Sequence, residues 1–314
     1  MNAVFLDTAT LEGFDFSPIE NVVSSLECYQ QTEQEELHKR IRNAEVIILN
    51  KVSLDKEALL SATSLKLICL VATGKDNVDC ESAKELGITV CNCQNYGTDS
   101  VVQHVFSCIL ALHTKLIEYN SAVKSGKWQS SDQFCFLDFP ITELKGKTLG
   151  IIGYGTLGAG VANVAKAFGM NVVIGAIPGR ECEGKVNFDK FLPMIDVLSL
   201  HCPLTKESKN LIDAKALSAM KPSAFIINAA RGGIVNEEDL AQALIEGVIA
   251  GAATDVLTVE PPNKGNVLLN THIPNLIITP HSAWGSNTAR TTIINQTAEN
   301  IDLFIKGSPI RVAN

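Results

Sequence analysis

The sequence predicts an α/β protein with two domains, each built around a doubly wound parallel sheet. Three observations support this prediction. Short apolar segments alternate with helical patterns along the chain, as expected for parallel strands connected by helices. The length of 314 residues suggests two domains, at roughly 100–200 residues per domain. A glycine-rich turn separates an apolar segment from a helical pattern near the middle of the chain, which is typical of the first turn of such a sheet.

The composition argues against several classes of protein. Hydrophobic residues make up 46% and charged residues 19%, which is ordinary for a globular chain. The net charge of -8 argues against a basic surface for nucleic acid, although a local basic pocket for a small anion would be compatible with it. The first residues lack the pattern of a signal peptide, and no segment approaches the roughly 18 apolar residues of a membrane helix. We therefore expect no nucleic acid or membrane partner.

The nine cysteines form no regular framework, and several lie in apolar segments, as Cys69 and Cys108 do. Such cysteines are typical of buried thiols in a reducing compartment, so we expect a cytoplasmic protein. Cys91 and Cys93 are close in sequence, but no second pair follows at ligand spacing. We expect no metal site.

Four strands are predicted in the first third of the chain, with helix-like polar segments such as 32–44 between them. The strands are 4–7, 45–50, 65–73 and 88–92. Residues 99–124 predict one long, mostly buried helix. The aromatic-rich segment 125–147 lacks a clean period and predicts an irregular connector that packs on another surface, such as a second subunit.

Six more strands are predicted after residue 147, again with helices between them. They are 148–153, 171–176, 196–201, 224–230, 251–256 and 276–281. A final helix, about 286–306, lies beyond the sixth strand and is expected to pack on the first region. We therefore predict one discontinuous domain, 1–97 plus 288–314, and a second domain, 98–287.

The glycine-rich turn has the pattern G-x-G-x-x-G, at Gly153, Gly155 and Gly158. It directly follows a predicted strand and opens a helix, the context that dinucleotide binding requires. The first glycine permits a tight turn, the second lets the backbone approach a pyrophosphate, and the third lets the helix pack on the strand. The free N–H groups of the helix N-terminus would bind the phosphates. This region is therefore predicted to be a Rossmann-like, dinucleotide-binding domain.

One part of this pattern is missing. The second strand of such a unit usually ends in Asp or Glu, which binds the ribose hydroxyls. Here Ala176 occupies that position, and Arg180 follows nearby. Arg180 would either face a 2′-phosphate or lie in solvent. The sequence therefore leaves the choice between NAD and NADP open.

Unusual polar residues follow the last three predicted strands, and in open α/β sheets ligands bind at the carboxyl ends of strands. These residues are Arg231, Asp255 with Glu260 shortly after it, and His281. An arginine fork can bind a carboxylate at two points and polarise an adjacent carbonyl. A histidine can exchange the hydroxyl proton, and a neighbouring carboxylate would stabilise its protonated form and orient its ring. This set fits the reduction of a 2-oxo acid.

Each of these residues also has a structural interpretation. Arg231 could cap a helix, Glu260 could be a turn residue before two prolines, and His281 could be a structural histidine. Among the other histidines, His201 is interpreted as part of the cofactor wall and His104 as a packing residue in the long helix. The glycine pattern favours the functional interpretation.

The ordered motifs resemble those of the D-isomer-specific 2-hydroxyacid dehydrogenase family over nearly the whole chain. They are VATGKDNVD (71–79), NYGTDSVVQHVFSCILAL (95–112), LKGKTLGIIGYGTLG (144–158), HCPLT (201–205), NAARGGIVNEEDL (228–240), DVLTVEPP (255–262) and TPHSAWGS (279–286). The segment QFCFLDFPITEL (133–144) is most similar to the glycerate dehydrogenase/hydroxypyruvate reductase branch. The resemblance implies two Rossmann-like or flavodoxin-like domains with the active site in the cleft between them, and a homodimer.

The resemblance also implies roles for individual residues. Arg231 would bind the substrate, His281 would be the acid/base, and Glu260 its partner. The implied cofactor residues are Gly153, Gly155, Thr156, Leu157, Gly158, Ala176, Cys202, Pro203, Ala229, Ala230, Arg231, Asp255, His281 and Ala283. The implied substrate residues are Lys51, Val71, Ala72, Thr73, Gly74, Arg231, His281 and Trp284. The best substrate candidates are hydroxypyruvate and glyoxylate, reduced to D-glycerate and glycolate.

Three alternatives remain open at this point. Phosphite-oxidising relatives keep the Arg, Glu and His, whereas formate-oxidising relatives carry Gln where Glu260 lies. Other relatives are corepressors that bind NAD(H) without turnover, although this chain shows no extended disordered tail. A different Rossmann enzyme, such as a methyltransferase, would not need these strand-end residues.

Overall fold

The computed structural model describes residues 1–180 and 183–314. The chain divides into two compact units. Unit 1 comprises Met1–Gly97 and Gly285–Asn314, and unit 2 comprises Thr98–Trp284. The sequence suggested 288 as the start of the second part of the first domain, whereas this division places it at Gly285.

Unit 1 contains a five-stranded parallel sheet in the order β2-β1-β3-β4-β5, the flavodoxin-like order. Its strands are β1 Asn2–Phe5, β2 Ser25–Cys28, β3 Val46–Leu49, β4 Leu67–Leu70 and β5 Thr89–Cys91. The predicted count of four strands is wrong, because β2 was missed. This edge strand is mostly exposed and lacks an apolar run, so its sequence carries little strand signal.

Helices cover this sheet, and the C-terminal helix belongs to unit 1. They are α1 Ser17–Glu20, α2 Gln34–Ile41, α3 Lys56–Ser61, α4 Cys80–Glu85 and α11 Asn287–Ile305. The strands β3 and β4 are buried along their whole length, which explains their continuous apolar sequence.

Unit 2 contains a six-stranded parallel sheet in the order β11-β10-β9-β8-β6-β7. Its strands are β6 Thr148–Ile152, β7 Asn171–Gly175, β8 Val197–Leu200, β9 Phe225–Asn228, β10 Gly251–Thr254 and β11 Leu276–Ile278. All six were predicted. Val186 adds one parallel bridge to Gly175 at the outer edge of β7. The strand order reverses between β6 and β8, and ligands bind at such a switch point in open α/β sheets.

Hydrophobic clusters cover both faces of this sheet. Leu198 of β8 and Ile226 of β9 belong to one cluster, whereas their neighbours Val197 and Ile227 belong to another. Successive strand residues point to opposite faces, so both faces are buried. The helices of unit 2 are α5 Thr98–Thr114, α6 Leu116–Lys124, α7 Thr156–Ala167, α8 Phe188–Phe191, α9 Ala214–Ala219 and α10 Glu237–Ile245.

The prediction of one long buried helix over 99–124 is wrong. The helix ends at Thr114, and Lys115 adopts a left-handed conformation (φ 56°) before α6 begins. Helix α5 buries many apolar side chains, whereas α6 buries none. No single helix in the described ranges is long and apolar enough to cross a membrane; α5 and α6 pass that test only as a pair bent by 63°. Residues 125–147 form no helix or strand, as expected.

Candidate active site

The glycine turn between β6 and α7 requires glycine at its first and third positions. Gly153 has φ 95°, and a Cβ atom there would lie 2.4 Å from the backbone carbon of His201. A Cβ atom on Gly158 would lie 2.2 Å from the carbonyl oxygen of Gly153. The turn therefore lies against the end of β8 and under the first turn of its own helix.

The middle glycine leaves open space instead. A Cβ atom on Gly155 would meet no described atom within 4 Å. Gly155 is also the N-cap of the twelve-residue helix α7, and no side chain among the described residues caps it. The N–H groups at the helix start, at exposed Thr156 and half-buried Leu157, can therefore bind an anion. These features fit the pyrophosphate of a dinucleotide.

The end of β7 provides no carboxylate for a ribose. Ala176 is buried, and its N–H donates to the carbonyl of Val186 at 2.8 Å. Arg180 is exposed and forms an ion pair with Glu207 at 3.1 Å. Arg180, which the sequence suggested could face a 2′-phosphate, is thus paired with a neighbouring acid.

The end of β8 carries His201, Cys202 and Pro203. Burial lowers the pKa of His201 to about 4, so its ring is neutral near pH 7. Its Nε2 lies 2.8 Å from the hydroxyl of Ser199. Cys202 is buried, and burial raises the pKa of its thiol to about 11. Together with exposed Pro203, these residues give an uncharged wall beside the glycine turn.

Asn228, the last residue of β9, fixes the turn that carries Arg231. Its side-chain amide donates to the carbonyl of Arg231 at 3.0 Å, and its side-chain oxygen accepts from the N–H of Ala230 at 3.1 Å. The guanidinium of half-buried Arg231 donates to the carbonyl of Ala230 at 2.8 Å. Ala229 is half-buried beside them. Sequence reasoning missed Asn228, although its position at a strand end was a signal.

Gly232 brings this arginine turn against the segment after β10. A Cβ atom on Gly232 would lie 1.9 Å from the carbonyl oxygen of Leu257, so only glycine fits. The N–H of Leu257 in turn donates to Oε1 of Glu260 at 2.8 Å. The backbone thus connects the arginine turn directly to the segment that orients Glu260.

Glu260 and His281 form a close pair. Oε2 of Glu260 lies 2.6 Å from Nδ1 of His281, and the two side chains are 31% and 26% exposed. Since an ionised carboxylate only accepts hydrogen bonds, Nδ1 carries the proton. The other ring nitrogen, Nε2, is then available for proton transfer with a ligand. This is the arrangement expected of an oriented general acid/base.

Asp255 holds the turn that presents His281. Its backbone carbonyl accepts from the N–H of His281 at 2.7 Å, and its buried carboxylate accepts from the N–H groups of Ser282 at 2.9 Å and Ala283 at 2.8 Å. Ala283 is buried, and Trp284 is half-buried against the same hydrophobic cluster. Asp255 was expected to line the nicotinamide side; its carboxylate oxygens bind the protein's own backbone.

In unit 1, two loops carry the remaining predicted substrate residues. Exposed Lys51 follows β3, and the carboxylate of Asp7 accepts from the backbone N–H groups of Asn50 at 2.7 Å and Lys51 at 2.5 Å. Burial of Asp7 raises the pKa of its carboxyl, and these backbone bonds oppose that effect. Sequence reasoning missed Asp7, which fixes the Lys51 loop.

The second loop, Val71 to Gly74, follows β4. Val71 is buried, Ala72 and Gly74 are half-buried, and Thr73 is exposed. The carbonyl of Ala72 accepts from the N–H of Cys93 at 3.0 Å, and that of Thr73 accepts from the amide of Asn92 at 2.9 Å. The loop is therefore anchored through its carbonyl groups.

The structure thus gathers Arg231, Glu260 and His281 at the carboxyl ends of β9, β10 and β11. Residues 106–283 match the sequence model of the D-isomer specific 2-hydroxyacid dehydrogenase family, NAD binding domain. The chain belongs to this family. The matched residues lie within unit 2, which is its NAD-binding domain.

Known members of the dehydrogenase family align with almost the whole chain. The chain is 44% identical over 278 residues to the glycerate dehydrogenase of Methylorubrum extorquens, covering 88% of each protein. It is 36% identical over 289 residues to the hydroxypyruvate reductase of Blautia hydrogenotrophica, covering 90% of this chain and 89% of the relative. The D-lactate dehydrogenase of Aquifex aeolicus, solved with NAD and lactic acid, superposes with a TM-score of 0.82 at 29% identity, covering 98% and 96%.

These findings confirm the predicted family, the two-domain α/β fold and a nicotinamide dinucleotide as the cofactor, bound by the NAD-binding domain. The dehydrogenase is an NAD-dependent oxidoreductase that acts on the CH–OH group of small 2-hydroxy acids. The glycine turn, the open helix start and the uncharged wall of His201 and Cys202 fit that cofactor.

Proposed function

We propose that the protein reduces hydroxypyruvate and glyoxylate to D-glycerate and glycolate, with Arg231 as the carboxylate anchor and His281 and Glu260 as the acid/base pair. The observation that carries the proposal is the 2.6 Å contact between His281 and Glu260 beside the arginine turn. The names of two relatives, a glycerate dehydrogenase and a hydroxypyruvate reductase, support the choice of substrate.

The residues would share the chemistry in a simple way. Bound NADH supplies the hydride that adds to the carbonyl carbon of the 2-oxo acid. The guanidinium of Arg231 would bind the substrate carboxylate and polarise the carbonyl. Protonated His281 would donate its Nε2 proton to the carbonyl oxygen, which becomes the hydroxyl of the product. Glu260 would hold the ring by its Nδ1–H and stabilise the charged imidazolium before that transfer.

Two loops of unit 1 would contribute substrate contacts. The anchored loop Val71 to Gly74 would bind the carboxylate through the backbone N–H groups that follow Val71, since the N–H of Val71 itself donates to the carbonyl of Leu49 at 2.9 Å. Lys51, fixed by Asp7, would add a positive charge. Unit 1 would therefore act as the substrate domain.

The test is a parallel assay of NADH and NADPH oxidation with hydroxypyruvate, glyoxylate and pyruvate. Rapid turnover of hydroxypyruvate and slower turnover of pyruvate is the expected result. Reduction of NAD⁺ by phosphite without turnover of any 2-oxo acid would identify a phosphite-oxidising enzyme instead. Tight NADH binding with no turnover of any of these compounds would favour a corepressor-like binding protein.

We also propose that the protein is a homodimer that pairs through α6 and the irregular segment after it. This stretch exposes large apolar side chains, including Phe134 at 89% and Leu137 at 76%. Exposed apolar patches of this kind mark protein interfaces. Light scattering after gel filtration should give twice the chain mass of 33.8 kDa. The double variant Phe134→Ser/Leu137→Ser should shift the protein towards the monomer, and a monomeric parent protein would refute the proposal.

A further inference from the structure

Helix α5 contacts the turn that carries His281 at two points, and neither contact has a role in the chemistry proposed above. The hydroxyl of Ser100 donates to the carbonyl of Ala283 at 2.7 Å. One helical turn later, Nε2 of His104 lies 3.2 Å from the hydroxyl of Thr279. Thr279 and Ala283 lie two residues before and two residues after His281. The helix therefore holds both sides of this turn.

The hydrogen bonds around Thr279 have a defined direction. The hydroxyl of Thr279 lies 2.6 Å from Oδ1 of Asp255, which also accepts from the N–H of Ser282. Because the carboxylate accepts throughout, the one proton of the Thr279 hydroxyl is donated to Asp255. The hydroxyl oxygen can then only accept from His104, so Nε2 of His104 carries a hydrogen. The chain of donors runs from His104 through Thr279 to Asp255.

These hydrogen bonds end at a backbone turn that has an unusual conformation. His281 adopts a left-handed conformation (φ 53°), which a residue with a Cβ rarely takes without surrounding constraints. Asp255 supplies constraints on one side of the turn, through the N–H groups of His281, Ser282 and Ala283. His104 orients the Thr279 hydroxyl that completes the set of donors to that carboxylate.

We propose that His104 is a positioning residue, which holds His281 in its reactive orientation through Thr279 and Asp255. The proposal rests on the proposed function, in which His281 is the acid/base. It assigns a task to a histidine that the sequence suggested was a packing residue. The other groups facing its Nε2 are the thiol of Cys108 at 3.6 Å and Oδ1 of Asp255 at 3.9 Å. The side chain is 19% exposed, and no step requires it to contact the substrate.

A packing role and a positioning role predict different results. If His104 only fills space, an apolar residue of similar size preserves turnover. If it orients the turn, loss of its N–H donor lowers kcat while NADH binding and thermal stability change little, since misplacement of a reacting group by about 1 Å can cost up to about 100-fold in rate.

The experiment compares His104→Leu with His104→Gln, because Gln can place an N–H donor near the position of the imidazole Nε2. We expect His104→Leu to lower kcat for hydroxypyruvate about tenfold or more, with a KM for NADH within about threefold of the parent value. His104→Gln should restore most of the lost kcat. Gln103→Leu, at an exposed position of the same helix, is the matched control and should behave as the parent enzyme.

Thr279→Val and Thr279→Ser repeat the test from the other end of the contact, and they replace the first pair if His104→Leu is insoluble. Val removes the hydroxyl and should reproduce the loss of kcat, whereas Ser should retain activity. The double variant His104→Leu/Thr279→Val should be no slower than the worse single variant, because both changes break one connected network.

His281→Asn is measured in parallel to separate the two proposals. Retention of turnover by His281→Asn would overturn the proposed acid/base, whatever the His104 variants do. An inactive His281→Asn together with a parental kcat for His104→Leu would overturn the positioning role alone. Equal losses in His104→Leu and His104→Gln would also overturn it, because the donor would then not matter.

Discussion

Nδ1 of His281 lies 2.6 Å from Oε2 of Glu260, while the other oxygen of that carboxylate accepts from the backbone N–H of Leu257 at 2.8 Å. Both carboxylate oxygens of Glu260 are thereby used, one to fix its own orientation and one to orient the imidazole. The backbone bond determines where the charge is placed, and the charge stabilises the protonated ring. A substitution that keeps the shape but removes the charge separates these two effects.

Glu260→Gln should therefore slow the reduction of hydroxypyruvate. Gln retains an oxygen that accepts from Nδ1–H but carries no charge to stabilise the imidazolium that donates the proton, so kcat/KM should fall about tenfold or more. The measurement is kcat/KM for hydroxypyruvate at one fixed pH.

Glu238→Gln, an exposed residue in the first turn of α10, is the control for this change. It removes the same charge from the same unit without touching His281. A kcat/KM for Glu260→Gln equal to the parent value would remove Glu260 from the mechanism.

Arg231→Lys should weaken the use of the 2-oxo acid while leaving NADH binding intact. Lys keeps the positive charge but loses the planar fork that binds a carboxylate at two points. Hydrogen bonds to charged groups contribute about 1.5–3 kcal/mol, so kcat/KM should fall about 10- to 100-fold. NADH affinity is followed by fluorescence titration. Arg42→Lys, at an exposed site in unit 1, should be silent. Activity near the parent value in Arg231→Lys would reject the anchor assignment.

Gly155→Ala should impair cofactor binding without destabilising the fold. The new methyl group would meet no described atom, and φ −87° suits alanine, but it would occupy the approach to the open start of α7. We expect the KM for NADH to rise about tenfold, and the increase in melting temperature that NADH causes to be smaller. The melting temperature without NADH should not change.

Gly158→Ala provides the contrast, because its methyl group would lie 2.2 Å from a backbone oxygen. This variant should melt at a lower temperature even without cofactor. Parental NADH affinity in Gly155→Ala would show that the pyrophosphate does not approach this glycine.

The buried strands could be predicted because their burial on both faces requires continuous apolar sequence. Strands β3 and β8 illustrate this, since every residue in each is buried. Strand β2 could not be predicted in this way, because an exposed edge strand needs no such run. The break between α5 and α6 could not be predicted from the sequence pattern either. Lys115 is an ordinary helix residue by propensity, and only its left-handed backbone ends the helix.

The candidate site was predictable for residues whose chemistry is unusual at a strand end, such as Arg231 and His281. The residues that hold them were not. Asn228 bonds within its own turn, and only its position at a strand end was a signal. Asp7 and Thr279 act through hydrogen bonds to segments that are brought close only by the fold. Their roles depend on which strands are neighbours and in which register, and the sequence pattern of a single segment does not contain that information.

His113 makes the stability of unit 2 depend on pH. Burial lowers the pKa of this histidine to about 4, and nearby Lys147 acts in the same direction. Its Nδ1 lies 2.6 Å from the hydroxyl of Thr142, and its ring packs on Phe225 with centroids 4.6 Å apart. Its Nε2 is buried without a hydrogen-bond partner among the described residues. Protonation would therefore place an uncompensated charge in the core.

The direction of this pH dependence follows from the difference in proton uptake between the folded and unfolded protein. The unfolded chain takes up a proton at His113 near pH 6.5, whereas the folded protein does so only near pH 4. Between these values protonation favours the unfolded chain, so the free energy of unfolding decreases as the pH falls through that range. Between pH 7 and pH 5 this amounts to about 2 kcal/mol in the free energy of unfolding. Urea denaturation at the two pH values measures it.

His113→Gln removes the titrating group, so its free energy of unfolding should fall less between pH 7 and pH 5, by about 2 kcal/mol relative to the parent protein. His201, whose pKa burial also lowers to about 4, remains in both proteins and cancels in the comparison. His272→Gln, at an exposed position, should keep the parental pH dependence. An identical pH dependence in His113→Gln and the parent would contradict this prediction. It would mean that the folded protein accepts the proton at His113 as readily as the unfolded chain does.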